Sequence, residues 1–177
     1  LFDDDTWLTV AVQGWGAALL FTQAELDSFP RYIRKPVPLS PEFTRAYFLS
    51  LFEGLTQDAK TSLKFFLVSQ PGVLGIGNGI LQDILFRARL HPRFQAAQTT
   101  LVQRASLYTA LCATIEQAVA LGGRDTEHDL FDQPGKYVKL LDARTVGQPC
   151  PVCNTTIQKE SFLGGTVYFC PHCQPAN

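Results

Sequence analysis

The stretch CPVCNTTIQKESFLGGTVYFCPHC, from Cys150 to Cys173, holds two C-x-x-C turns separated by sixteen residues. Each turn places two thiolates on one tight bend, and two facing bends supply four soft sulfur ligands at about 2.3 Å from a tetrahedral Zn²⁺. Cys150, Cys153, Cys170 and Cys173 are therefore the expected ligands of one structural zinc, and the segment reads as a zinc ribbon. A closed shell of four thiolates leaves no position for water, so the metal is expected to hold a hairpin too small to own a core rather than to do chemistry. The alternative is a pair of disulfides. No secretory leader pattern begins the sequence, and paired C-x-x-C turns are poor disulfide geometry. His172, inside the second turn, is expected to stand outside the ligand set, and Cys112, in an apolar helical run, to be a small buried hydrophobe.

Outward from the ribbon, the chain has 177 residues, 46% of them apolar, enough for a sizeable core. The net charge of −1 argues against a strongly basic nucleic-acid binder, so any phosphate contact has to come from local clustering. No apolar run reaches the roughly 18 residues of a membrane span, and reduced C-x-x-C pairs fit a cytoplasmic protein. The sequence contains no methionine and opens on Leu1-Phe2-Asp3-Asp4-Asp5, so the chain reads as the later part of a longer protein.

The fold expected is mainly α, with a β-hairpin remnant at the start and the ribbon at the end. Residues 1–38 form the hairpin (Trp7 to Val12, a break at Gly14-Trp15-Gly16, then Ala17 to Phe21) and a proline-punctuated linker running from Phe29-Pro30 to Pro38. Residues 39–146 are helical and residues 147–177 are the zinc finger. Ser40-Pro41-Glu42 carries the residue types of a helix start and predicts a first helix to about Gly54. A second is expected over about 59–68, and a third from Asn78 to the proline of His91-Pro92. A fourth is expected over about 99–121, capped by Gly122-Gly123. Residues 124–146 read as loop, in which Glu127, His128 and Asp129 form a solvated cluster, and Asp83 reads as a charge partner on a helix surface.

Gly75-Ile76-Gly77-Asn78 sits where the third helix begins. Glycines let backbone N–H groups approach an anion, and an asparagine can donate to a phosphate oxygen; a small glycine cluster also simply permits a tight turn. Lys60, Lys64, Arg87, Arg89, Arg93 and Arg104 surround it in sequence, with Asp83 the only acid from Lys60 to Arg104. They form either a basic face or ordinary solvated helix surface.

Taken in order, Lys60-Thr61-Ser62-Leu63-Lys64, Gly75-Ile76-Gly77-Asn78 with Asp83, Leu85-Phe86-Arg87-Ala88, His91-Pro92 and the ribbon ending Cys173-Gln174 resemble the formamidopyrimidine-DNA glycosylase and endonuclease VIII family, over Pro41 to Gln174. The resemblance implies a helix-two-turn-helix DNA-binding domain and a base-excision-repair role on double-stranded DNA carrying a damaged base or abasic site. It implies that Lys60 and Asn78 contact phosphates flanking the lesion and that Lys64 lies near the DNA-facing turn, in a monomer working at the bacterial nucleoid. The family's nucleophilic N-terminal proline and its adjacent glutamate have no counterpart in this chain. Two family arginine sites are also replaced, one by Gly165 in the ribbon hairpin and a pair by Gln13-Gly14 before Trp15-Gly16. The chain thus reads as the damaged-DNA-binding part of a glycosylase/AP lyase. The alternatives are a non-catalytic relative that binds distorted DNA, and a zinc-ribbon scaffold for protein partners.

Overall fold

The computed structural model describes residues 20–28, 35–56 and 60–176. The opening hairpin, the Gln13-Gly14-Trp15-Gly16 segment and most of the proline-rich linker lie outside them. The described residues fall into two units, one within 1–35 and one from Pro36 onward. In the first, helix α1 (Gln23–Ser28) starts at Thr22, whose Oγ1 accepts from the Glu25 N–H while the Glu25 carboxylate accepts from the Thr22 N–H. This Thr-x-x-Glu box is a short-range helix signal, and the helix it starts was not among those expected.

The second unit carries α2 (Arg45–Ser50), α3 (Leu63–Val68), α4 (Asn78–Arg87), a 3-10 turn (Ala96–Gln98), α5 (Leu101–Ala120) and an antiparallel pair, β1 (Gln158–Phe162) and β2 (Gly165–Phe169). Gln158 pairs with Phe169 at one end of the hairpin and Phe162 with Gly165 at the other. A mainly helical domain with a two-stranded zinc ribbon is the fold class expected.

Several boundaries move, each for a local reason. Ser40-Pro41 does not start α2. Val37 and Ser40 carbonyls instead close two successive turns, Leu39 takes a left-handed φ of 71°, and Thr44 caps the helix by accepting from the Tyr47 N–H. The α3 helix begins at Leu63, where the Ser62 hydroxyl accepts from Phe65. Pro92 does not stop α4. The helix closes earlier in a Schellman pattern, with Arg89 at φ 59°, its N–H on Phe86 O and the Leu90 N–H on Leu85 O. By contrast α5 ends as expected, Gly122 and Gly123 both at positive φ and bonded to Val119 O and Ala118 O. Its start is a capping box between Thr100 and Gln103.

Two cores meet on α4. Leu81, Ile84 and Leu85 face a helical core with Phe48, Phe66, Leu67, Leu107 and Leu111. On the other side Phe86 joins Leu141, Ile157, Cys150 and Cys170 beneath the ribbon. Helix α4 is thus the central plank, and its side chains hold both the helices and the finger in register.

Candidate nucleic-acid interface and metal centre

The four cysteines of the ribbon converge, their Sγ atoms all within 4.8 Å of one another. Cys150 and Cys173 lie 3.8 Å apart and Cys153 and Cys170 3.4 Å. A tetrahedron with arms of about 2.3 Å has edges of about 3.8 Å, whereas a disulfide needs about 2.05 Å. The donor set fits one zinc and excludes disulfides in this arrangement. Backbone geometry prepares the thiolates: Cys150 N–H donates to Thr155 O, Asn154 turns through φ 61°, and the Cys173 N–H points at Cys170 Sγ. His172 is exposed and outside the cluster, as expected. Cys112 is only half-buried, beside Tyr108.

The finger is fastened to α4 by carboxamides. Asn78 Nδ2 donates to Thr166 O at 3.0 Å, Gln82 Nε2 reaches the same carbonyl, and Gln82 Oε1 accepts from the Tyr168 N–H. Gln174, fully buried, accepts from Cys170 N–H and donates to Leu90 O, closing the far end. Gln82 and Gln174 are positioning residues that local patterning could not single out, because their partners lie 84 to 86 residues away.

The residues tied by resemblance to phosphate are placed unequally. Lys60 is exposed beside a groove formed with Phe65, Arg93, Gln95, Phe162 and Leu163. Asn78 is exposed at the N-terminal end of α4. Lys64 is buried: its Nζ donates to Phe162 O at 2.5 Å, and burial lowers its pKa. It ties the hairpin tip to α3. A Cβ added at Gly165 would stand 3.3 Å from Asn78 Nδ2 and 3.4 Å from Lys64 Nζ, so both side chains pack closely over this end of the hairpin. The expected basic face resolves into separate contacts. Arg93 pairs with Glu160 over the Phe162 ring, Arg104 lies over Phe52, Arg89 over Phe86, and Arg87 bonds Gln117.

Asp83 corrects the surface reading. It is fully buried and accepts from Tyr137 Oη (2.8 Å), Leu140 N–H (2.9 Å) and Leu141 N–H (3.0 Å). Burial raises its pKa despite these bonds. Through Tyr137, whose backbone bonds Gly123 and Asp125, Asp83 fixes the segment that carries Arg124. Arg124 forms a two-point ion pair with Glu127 on one wall of a cavity of about 500 Å³, between the start of α4 and the end of α5. The Glu127-His128-Asp129 cluster is exposed, as expected, with Asp129 Oδ1 accepting from Phe131 and Gln133 N–H groups.

The helices flanking two turns, fastened to a four-cysteine ribbon, define a helix-two-turn-helix domain with its zinc finger. Residues 35–129 match the formamidopyrimidine-DNA glycosylase H2TH domain model, and residues 147–176 match the zinc finger found in FPG and IleRS. The chain belongs to the formamidopyrimidine-DNA glycosylase/endonuclease VIII family, and its ribbon is a zinc-binding finger of that type. It is 32% identical over 180 residues to a formamidopyrimidine-DNA glycosylase of Bacillus cereus, covering 99% of this chain and 64% of that protein. It is 34% identical over 154 residues to the Listeria innocua protein of the same name, covering 84% and 55%. The chain therefore spans about half to two-thirds of the length of these relatives. Among solved structures, the MutM (Fpg) protein of Thermus thermophilus superimposes with TM-score 0.73 at 31% identity, over 85% of this chain and 57% of that one. Lactococcus lactis Fpg in complex with abasic-site DNA gives 0.69 at 25% identity, over 79% and 51%. Among the described residues no helix is long and apolar enough to cross a membrane.

Proposed function

We propose that this chain is the part of a base-excision-repair DNA glycosylase/AP lyase that grips damaged duplex DNA in a bacterial cell, working as a monomer. The division into residues 1–38, 39–146 and 147–177 follows that role: sandwich end and linker, helical domain, finger. The bond-breaking proline and glutamate of the family would lie outside the residues of this chain. The observation that carries the reading is that Asn78, at the start of α4, is joined directly to the zinc hairpin at Thr166. Two elements 88 residues apart are thereby presented as one surface, with the α4 N-terminus supplying positive potential for phosphate. Lys60 adds an exposed cation on the neighbouring helix start. Lysine and asparagine at such positions position a duplex without reading sequence.

A second reading, a relative that binds distorted DNA without cutting it, draws support from Gly165 and from the burial of Lys64, which together leave the hairpin face with less charge for phosphate. The test is fluorescence anisotropy of the zinc-loaded chain with a duplex holding a tetrahydrofuran abasic analogue and with its intact counterpart, across a salt series. Tighter, salt-sensitive binding to the abasic duplex is expected. Equal or absent binding to both would refute the reading.

A further inference from the structure

The tip of the ribbon hairpin is built against its own backbone preference. The last strand pair is Phe162 with Gly165, so Leu163 and Gly164 form a two-residue turn, and both take a left-handed φ, 48° and 69°. That is the signature of a type I′ turn, in which asparagine or glycine is favoured at the first position because a longer side chain crowds the backbone there. A leucine in that place stores strain, and packing does not offset it, since Leu163 is 53% exposed.

The turn is held from beneath. The Lys64 ammonium donates to the Phe162 carbonyl, the Arg93 guanidinium lies 4.1 Å from the centroid of the Phe162 ring, and Glu160 pairs with Arg93. The residues under the tip are thus tied down while the leucine side chain projects beyond them. Residues 161–166, which form the tip, carry no charge. Leu163 and the exposed Lys60 line one groove of about 470 Å³, with Phe65 and Phe162 as its apolar walls. An ammonium beside an apolar tip suits a surface that alternates anionic and apolar groups, which along a DNA strand are phosphate and deoxyribose.

We propose that Leu163 is a DNA-contacting residue, an apolar wedge that presses on the deoxyribose wall of the minor groove next to the phosphate held by Lys60. This rests on the DNA-gripping reading above and adds to it a contact whose strength does not come from charge. An apolar side chain set into the minor groove displaces water from sugars and base edges, and it releases no counterions. Asparagine at the tip would relieve the turn and leave nothing apolar to press on the sugars, so stability and binding pull position 163 in opposite directions.

The experiment compares wild type with Leu163→Asn, both zinc-loaded, by thermal unfolding and by salt-series anisotropy with the tetrahydrofuran duplex. Leu163→Asn should raise the unfolding midpoint by about 2–4 °C, because an Asn-Gly pair fits the turn. It should also weaken duplex binding by about tenfold, the effect of leaving about half a leucine side chain without its apolar contact. The salt slope should stay as in wild type, whereas loss of a cation from phosphate would reduce it by about one. A merely structural role for Leu163 would move stability and affinity in the same direction. If wild type binds the duplex but the variant keeps its affinity, gains no stability, or loses salt slope along with affinity, the inference is overturned and the DNA-gripping reading stands. If wild type binds neither this duplex nor its intact counterpart, that reading fails and takes the inference with it.

Discussion

Removing the Asp83 carboxylate should strip three buried donors of their acceptor at once. In Asp83→Ala the Tyr137 hydroxyl and the Leu140 and Leu141 N–H groups, now bonded at 2.8 to 3.0 Å, are left facing an apolar gap. Each orphaned buried donor costs about 1–3 kcal/mol, and partial relaxation keeps the sum below simple addition. A loss of about 3–5 kcal/mol is expected, at the upper end for a point substitution. At roughly 3 °C per kcal/mol for a unit of this size the midpoint should fall by about 10 °C. Asp83→Asn keeps one carbonyl acceptor but turns an NH₂ toward a backbone N–H, so it should fall between wild type and alanine. The sign of the pH effect follows from burial, which holds the Asp83 pKa above its ordinary value. The native state then keeps this proton to a higher pH than the unfolded chain. Stability from this group therefore declines as pH rises from the ordinary carboxylate value through the raised one, and Asp83→Asn should remove that decline. Urea unfolding of the zinc-loaded chain, followed by far-UV circular dichroism across pH, reads both effects. A loss below about 1 kcal/mol for Asp83→Ala would show that the carboxylate does not clamp the 137–141 segment.

Three further outcomes are expected. Lys60→Ala should weaken all duplexes alike and reduce the salt slope by about one phosphate, as salt-series anisotropy would show; a sequence-dependent loss would contradict a backbone contact. Stripping zinc with a strong chelator should unfold the hairpin around residues 147–176 and release Asn78 from Thr166, read as lost amide protection in β2 and weaker duplex binding; unchanged protection would mean that the ribbon holds without metal. For Asp142, burial acts to raise the pKa, but the Arg144 side chain and N–H outweigh it, and the carboxyl sits below its ordinary value. Its stabilisation is present above the unfolded carboxylate pKa and lost as pH falls through the lowered one, so Asp142→Asn should flatten the acid limb below about pH 4. An acid limb as steep as wild type would assign that loss to other carboxylates.

What could be read from the sequence was whatever its own neighbours determine. The four cysteines carry their spacing within 24 residues, and the end of α5 is written in two adjacent glycines. The order of motifs from Lys60 to Gln174 was enough to place the domain in its family. Groups whose partners are distant in sequence were misread or missed. Asp83 looked like a surface acid because Tyr137, Leu140 and Leu141 are 54 to 58 residues away. The bond from Lys64 to the Phe162 carbonyl, 98 residues on, was missed because nothing near Lys64 announces it. The first-helix boundary failed differently: Ser40-Pro41 and Thr44 both carry cap chemistry, and Leu39 in the left-handed region settles the chain into turns before the second of them.

A two-stranded ribbon has two open edges, and each unpaired edge is an invitation to another chain. In β2 the residues alternate, Gly165, Val167 and Phe169 pairing toward β1 while Thr166 and Tyr168 turn their backbone groups the other way. Asn78 and Gln82 meet those outward groups with side-chain amides, so one helix impersonates a third strand along that edge. The contact that aligns the finger with α4 therefore also guards it against self-association. Leucine at both positions would be expected to leave a hairpin that still binds zinc yet recruits copies of itself.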